Sequence, residues 1–210
     1  MPQIALLPER LKSIVPNSTN SADSPGIGIA YSGQRYILKK PSVIHNALPA
    51  SEWICHSLAR CIELAIPAWA VCEMSDGQTY FGSRLEGQIL SEKFMPMCRP
   101  DADNPEVISR TYVLDMFTGN LDRHPGNWLL TEAGGSKLLR PIDYSRAWFF
   151  RWPPLPLPPF GDGVVGDNSS GFYNWAITGN VVLRQEALDA VRALRSISKS
   201  TWEVIINSIP

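Results

Sequence analysis

The residues with the most chemical content lie in one irregular stretch, Gly119-Asn-Leu-Asp-Arg-His-Pro-Gly-Asn127, and at the end of the segment that follows it. Asp122 and Asn127 offer a carboxylate and an amide oxygen from a single loop. Phosphoryl transfer asks for these two types: a carboxylate to accept the proton of an attacking hydroxyl, and oxygen ligands to hold Mg²⁺ against phosphates. Asp143 ends an apolar segment further on and is a candidate second metal ligand. A lone Asp and Asn at this spacing is a weak signal, because both types are common in turns and caps. Their context adds to it. Residues 127–131 and 137–143 flank Glu132-Ala-Gly-Gly-Ser136 and read as a hairpin, which returns Asp143 towards Asn127.

Two further charges sit earlier. Lys39 lies in a strand-like segment, 35–41, joined through the turn Gly33-Gln34 to another at 26–32. Strand alternation places Ile37 and Lys39 on one face and Leu38 and Lys40 on the other. Lys39 is therefore the candidate to face a cleft with Ile37; the alternative is that both lysines guard a sheet edge. Glu52 lies on a helix opened by Pro49-Ala-Ser-Glu-Trp53, running to about Leu64 and stopped by Pro67, with Ser51 as candidate N-cap. The stripe Glu52, Cys55, Ala59, Ile62 is apolar apart from the glutamate, whereas His56, Arg60 and Glu63 form a polar stripe expected to face solvent. A lone carboxylate on a buried face is costly, and Lys39 is the cation to offset it. A first-turn glutamate favoured by the helix dipole is the simpler alternative.

These residues need a scaffold of strands first and helices after. Residues 68–73 and 79–85 form a second antiparallel pair around Ser75-Asp-Gly-Gln78. Beyond them 105–118, 184–197 and 200–208 read as helices, and the tract Trp152-Pro-Pro-Leu-Pro-Leu-Pro-Pro-Phe160 as loop or polyproline II. The expected fold class is α+β, with a strand-rich N-terminal part containing one helix and a small helical C-terminal part. At 210 residues and 44% hydrophobic content the chain fits a single domain with a real core. A net charge of -1 gives no electrostatic basis for direct nucleic-acid binding, and no apolar run is long enough to span a bilayer. The four cysteines include no CxxC pair and histidine is scarce, which argues against zinc and for a reducing, cytoplasmic setting.

The stretch 117–130, Phe-Thr-Gly-Asn-Leu-Asp-Arg-His-Pro-Gly-Asn-Trp-Leu-Leu, resembles the catalytic loop of HipA-like kinases, and its Asp-Arg-His-x-x-Asn core also recurs in phosphoinositide kinases. Pro141-Ile-Asp-Tyr144 resembles the metal-binding segment that takes the place of Asp-Phe-Gly in these proteins. Tyr36-Ile-Leu-Lys39 resembles their ATP-lysine strand, and Ala50-Ser-Glu-Trp53 with Leu58-Ala-Arg and Ala65-Ile-Pro67 resembles their helix with the partner glutamate. The resemblance covers about residues 26–150. It implies a bilobal protein-kinase-like fold, one domain over 1–210, with an N-lobe to about 87 and a C-lobe from about 88. It implies ATP and Mg²⁺ as cofactors, Asp122 as catalytic base, Asn127 and Asp143 as metal ligands, Lys39 on the phosphates with Glu52 orienting it, and Leu85 and Glu86 at the adenine. Arg123 and His124 then brace the loop.

No G-x-G-x-x-G precedes Lys39; the polar stretch 17–24 stands there, and Ser18, Ser21 and Ser24 are candidates for autophosphorylation by the same resemblance. The expected activity is protein serine/threonine phosphorylation, in a toxin–antitoxin setting with an antitoxin-like partner. The competing readings are a kinase-shaped binding module, for which the proline tract speaks, and a small-molecule or lipid kinase, against which the lack of a basic amphipathic stretch speaks.

Overall fold

The structure, a computed structural model, describes residues 7–16, 24–41, 47–90, 102–147 and 168–209. The proline tract, Cys98, Ser18 and Ser21 lie outside them. Five strands, β1 (Glu9–Val15), β2 (Ile27–Ala30), β3 (Arg35–Lys39), β4 (Trp69–Glu73) and β5 (Thr79–Arg84), close into a barrel in the order β1-β2-β3-β5-β4. The two expected hairpins supply β2–β3 and β4–β5, in register Ile27↔Ile37 and Cys72↔Tyr80. β1 closes the barrel by pairing antiparallel with β2 and parallel with β4. The sequence carries no clear strand signal there, because Glu-Arg-Leu-Lys-Ser-Ile-Val alternates poorly and only Leu11 is fully buried.

Strand alternation sorts the barrel's residues as expected. Tyr36 and Leu38 point inwards with Leu11, Ala30, Cys72 and Tyr80. Ile37 points outwards, to Leu129 and Ile142 of a second sheet. That sheet is β6 (Gln88–Ile89), β7 (Trp128–Ala133) and β8 (Ser136–Pro141), joined in that order. Gly87 leads into β6 with φ of 97°, and a Cβ there would lie 2.2 Å from the Leu130 carbonyl oxygen, so the crossing from barrel to second sheet needs glycine.

Five helices pack around these sheets among the described residues: α1 (Leu48–Cys61), α2 (Glu106–Thr118), α3 (Asn168–Thr178), α4 (Arg184–Arg195) and α5 (Lys199–Asn207). Their shared core joins Leu58 of α1 and Ile62 just after it, Leu114 of α2, Phe172 and Ala176 of α3, Leu194 of α4 and Ile205 of α5 to Trp128 and Leu139. α3 is not expected from local sequence; Asn-Ser-Ser-Gly-Phe-Tyr-Asn-Trp is poor in strong helix formers, and tertiary packing of Phe172, Tyr173 and Ala176 holds it.

Helix α1 departs from expectation in three ways. It begins at Leu48, with Ala47 at the cap position and proline in its first turn, so Ser51 is not its N-cap. Ser51 instead donates its hydroxyl to the Tyr144 carbonyl across the core. The helix stops at Cys61, where Glu63 turns left-handed at φ of 54°, rather than near Leu64. His56 is fully buried rather than exposed, packed against Trp69, Phe81 and Tyr144. The helix has the barrel on one side and α2, α4 and α5 on others, so His56 meets protein, Arg60 is half-buried, and Glu63, just past the helix end, is the member of the polar stripe that faces solvent as expected.

Candidate active site

The loop after α2 is set by its helix end. Gly119 takes φ of 64° and donates its N–H to the Asp115 carbonyl, which stops α2 and releases the chain into residues 120–124. A single 3₁₀ turn, Pro125–Asn127, then leads into β7. The β7–β8 hairpin returns the chain in the register Trp128↔Pro141, and Ile142 N–H donates to Asn127 O at 2.9 Å. Asp143 is thereby set beside Asn127.

Arg123 fixes both sides of this junction. It is fully buried, and its Nη1 donates to Asn127 O (3.0 Å) and to Ile142 O (2.6 Å). Its Nε and Nη2 meet the Asp115 carboxylate in a two-pronged pair at 2.8 and 3.0 Å. Asp115, itself fully buried, also accepts from Asn120 Nδ2 and from the Tyr173 hydroxyl. Burial pulls the Arg123 guanidinium down, but the Asp115 charge outweighs it and holds it well above its ordinary value. The expectation that Arg123 braces the loop therefore has a structural form. Its partner Asp115 is absent from the sequence-based site; the signal that could have found it is an aspartate inside the apolar run Val113-Leu-Asp-Met-Phe117. His124 plays a local part, its Nδ1 accepting from Gly126 N–H at 3.1 Å.

Of the remaining expected site residues, Lys39 is 3% exposed and Lys40 lies on the exposed face. Lys39 Nζ reaches Asp143 Oδ2 at 2.8 Å, joining the outer face of the barrel to the end of the hairpin. Asp143 Oδ1 accepts from the Ser145 hydroxyl at 2.6 Å and from its N–H at 3.3 Å, which steadies a backbone at φ of 63° that few non-glycine residues adopt. Burial pushes the Asp143 carboxyl up, but Lys39 and the Ser145 donors outweigh it and hold it well below the usual carboxylate range. Asp122 accepts from Asn168 Nδ2 at 2.6 Å. Asn127 Nδ2 donates to the Asp122 carbonyl at 2.6 Å, which leaves the amide oxygen as the end available to a hard cation. No cluster of three His, Cys, Asp or Glu able to hold a metal occurs among the described residues. Leu85 packs with Ile37, Leu129 and Ile142, while the Glu86 carboxylate is held by Arg140 Nη1 at 3.0 Å and its carbonyl by the Thr131 hydroxyl.

Sequence reasoning pairs Glu52 with Lys39. The structure gives Lys39 its 2.8 Å contact with Asp143 and gives Glu52 the Tyr144 N–H, accepted by Oε1 at 3.0 Å. Glu52 thus holds the segment after Asp143, and Lys39 acts on it through charge. At 1% exposure, burial pushes its carboxyl up to about 8, with the Asp143 charge adding to the rise and Lys39 opposing it. Burial pushes the neighbouring His56 imidazole down to about 4.

The two groups leave opposite signatures. A carboxyl raised from 4.5 to about 8 binds its proton in the native chain and not in the unfolded one, so stability falls as pH rises through that window. An imidazole lowered from 6.5 to about 4 costs stability as pH drops through its own window. Above pH 6.5 only the first of these two acts. Raising pH from 6.5 to 8 is therefore expected to cost up to about 2 kcal/mol, roughly 5 °C in melting temperature. Glu52→Gln should flatten that slope. Melting curves at three pH values check it; parallel slopes would mean that Glu52 is ionised in the folded chain.

No family model matches the chain, and no curated protein matches it. Solved structures do. The Helicobacter pylori proinflammatory kinase CtkA superposes with a TM-score of 0.56 at 15% identity, over 94% of this chain and 85% of that one. HipA of Shewanella oneidensis, solved as a toxin–antitoxin complex with HipB and its operator DNA, superposes with a TM-score of 0.55 at 11% identity. That match covers 87% of this chain and 54% of HipA, so the chain spans about half of that protein's length. The fold is similar to those of these two proteins. No helix among the described residues is long and apolar enough to cross a membrane.

Proposed function

We propose that this chain is an ATP- and Mg²⁺-dependent phosphotransferase, a HipA-like protein serine/threonine kinase built as an N-lobe over about 1–87 and a C-lobe over about 88–210. The observation that carries this reading is the 2.8 Å ion pair between Lys39 Nζ and Asp143 Oδ2, residues 104 positions apart. It brings a buried lysine on the barrel's outer face to the hairpin that also positions Asn127 and, through Asn127, Asp122. The likeness in fold to a solved kinase adds support.

In this reading Lys39 holds the nucleotide's phosphates, and Asn127 and Asp143 supply the oxygen donors that suit Mg²⁺. Mg²⁺ held there would offset the charge that develops on the transferred phosphoryl group. Asp122 accepts the proton of the attacking hydroxyl while that oxygen bonds to the γ-phosphorus and the bond to ADP breaks. Ile37 and Leu85 offer an apolar wall to the adenine, next to the Glu86 main chain. Glu52 keeps the Asp143-Tyr144 segment in register. An antitoxin-like partner belongs to the same proposal and rests on the likeness to HipA.

Calorimetry of Mg·ATP binding, run beside a radiolabel transfer assay, tests it. Asp143→Ala is expected to weaken Mg·ATP binding at least tenfold and to remove the Mg²⁺ dependence. Parent protein that ignores millimolar nucleotide would leave a kinase-shaped binding module.

A further inference from the structure

The start of α3 grips the loop that carries Asp122. The N–H groups of Asn168 and Ser169 both donate to the Leu121 carbonyl, at 2.9 and 3.3 Å. The buried Ser169 hydroxyl donates to Asn120 O at 2.7 Å and accepts from Arg123 N–H at 2.8 Å. Residues on both sides of Asp122 are therefore fastened to one helix end. The Asp122 side chain is held from the same place: Asn168 Nδ2 donates to its Oδ1 at 2.6 Å, while Oδ2 lies 4.0 Å from Arg146 Nε.

The final torsion of an aspartate is broad and roughly two-fold, so nothing intrinsic decides which oxygen it presents. A general base, however, must hold one chosen oxygen within hydrogen-bond reach of the proton it takes. We infer that Asn168 is a positioning residue of this site: by occupying Oδ1 it makes Oδ2, the oxygen on the Arg146 side, the one that receives the substrate proton. The inference rests on the phosphotransfer reading above. In the step it serves, the hydroxyl proton passes to Oδ2, the hydroxyl oxygen bonds to the γ-phosphorus, and ADP leaves with the electron pair of the broken bond. No sequence motif marks Asn168; it sits 46 residues from Asp122 and beyond the recognisable segments.

The full chain with Mg·ATP is the assay, reading γ-phosphate moved to the chain itself, to casein or to water. Asn168→Ala and Asn168→Asp are expected to lower kcat by about 10- to 100-fold, the scale of a misplaced reacting group. KM and Kd for ATP should stay within about twofold of the parent, since Asn168 contacts none of the proposed nucleotide residues. Asn168→Asp keeps a residue type favoured at helix starts, so it tests the lost donor with the fold preserved. Asn168→Gln keeps the donor and should recover to within about fivefold of the parent. An Asn168→Ala variant at parental kcat overturns the inference alone. So does a glutamine variant no better than alanine, or a loss shared equally by kcat and ATP affinity. A parent chain that does not turn over Mg·ATP overturns the phosphotransfer reading and takes this inference with it.

Discussion

Asp122→Asn is expected to cut transfer of the ATP γ-phosphate by about 10²- to 10⁴-fold while leaving Mg·ATP affinity nearly unchanged. The two side chains have the same shape, and the new amide oxygen can still accept from Asn168 Nδ2, so the loop keeps its geometry. What is lost is the ability to take up a proton. Asp122 is only partly buried and lies outside the buried network around Arg123, so the change in folding stability should fall within about ±0.5 kcal/mol. Single-turnover kinetics beside a nucleotide titration separate the two effects. A variant that still transfers phosphate within tenfold of the parent would move the base elsewhere, and His124, two positions on in the same loop, would be the next group to replace.

Arg123→Met is expected to destabilise the fold by about 3–5 kcal/mol, because it strands a buried carboxylate. Among the described residues, Asp115 then keeps Asn120 and Tyr173 as side-chain donors once the guanidinium is gone. The Asn127 and Ile142 carbonyls lose their shared donor at the same time; one belongs to a proposed metal ligand and the other precedes one. Asp115→Asn alone leaves the opposite charge stranded and should be similarly harmful. Replacing both by apolar residues of like volume should recover much of the loss, since a buried pair exchanged for good packing is often neutral. Urea denaturation of the two single variants and the double variant measures this. The double variant should fold yet transfer phosphate poorly, because the Asn127 and Ile142 carbonyls lose the guanidinium that clamps them together, leaving the Ile142 N–H bond to Asn127 O to join the two segments. Additive losses in the double variant would show that the two groups act independently.

Much of the site is legible in the order and spacing of its residues. The hairpin between residues 127 and 143 can be read because short-range turn chemistry fixes it, and its register does set Ile142 on Asn127. The choice of Lys39 over Lys40 follows from the two-residue period of a strand, which holds whatever the strand packs against. The failures share a cause. Ser51 looks like a cap and His56 like a surface residue when a helix is judged by its own two stripes, while α1 is enclosed on nearly every side. β1 and α3 escape such reasoning because weak local propensity is overridden by partners far away in sequence.

By itself, the sequence determined the order of most strands and helices, the loop carrying Asp122, Arg123 and Asn127, and the return of Asp143 to it. These depend on neighbours a few residues apart, where spacing maps directly onto geometry. Tertiary structure alone decided that Lys39 meets Asp143, that Glu52 holds the Tyr144 main chain, that Asp115 balances Arg123 and that Asn168 reaches Asp122. Except for Asp115 and Arg123, eight apart on either side of a helix end, each of these joins residues from separate elements. A buried charge or an unpaired carbonyl fixes what kind of partner it needs, and only the packed fold determines which residue supplies it.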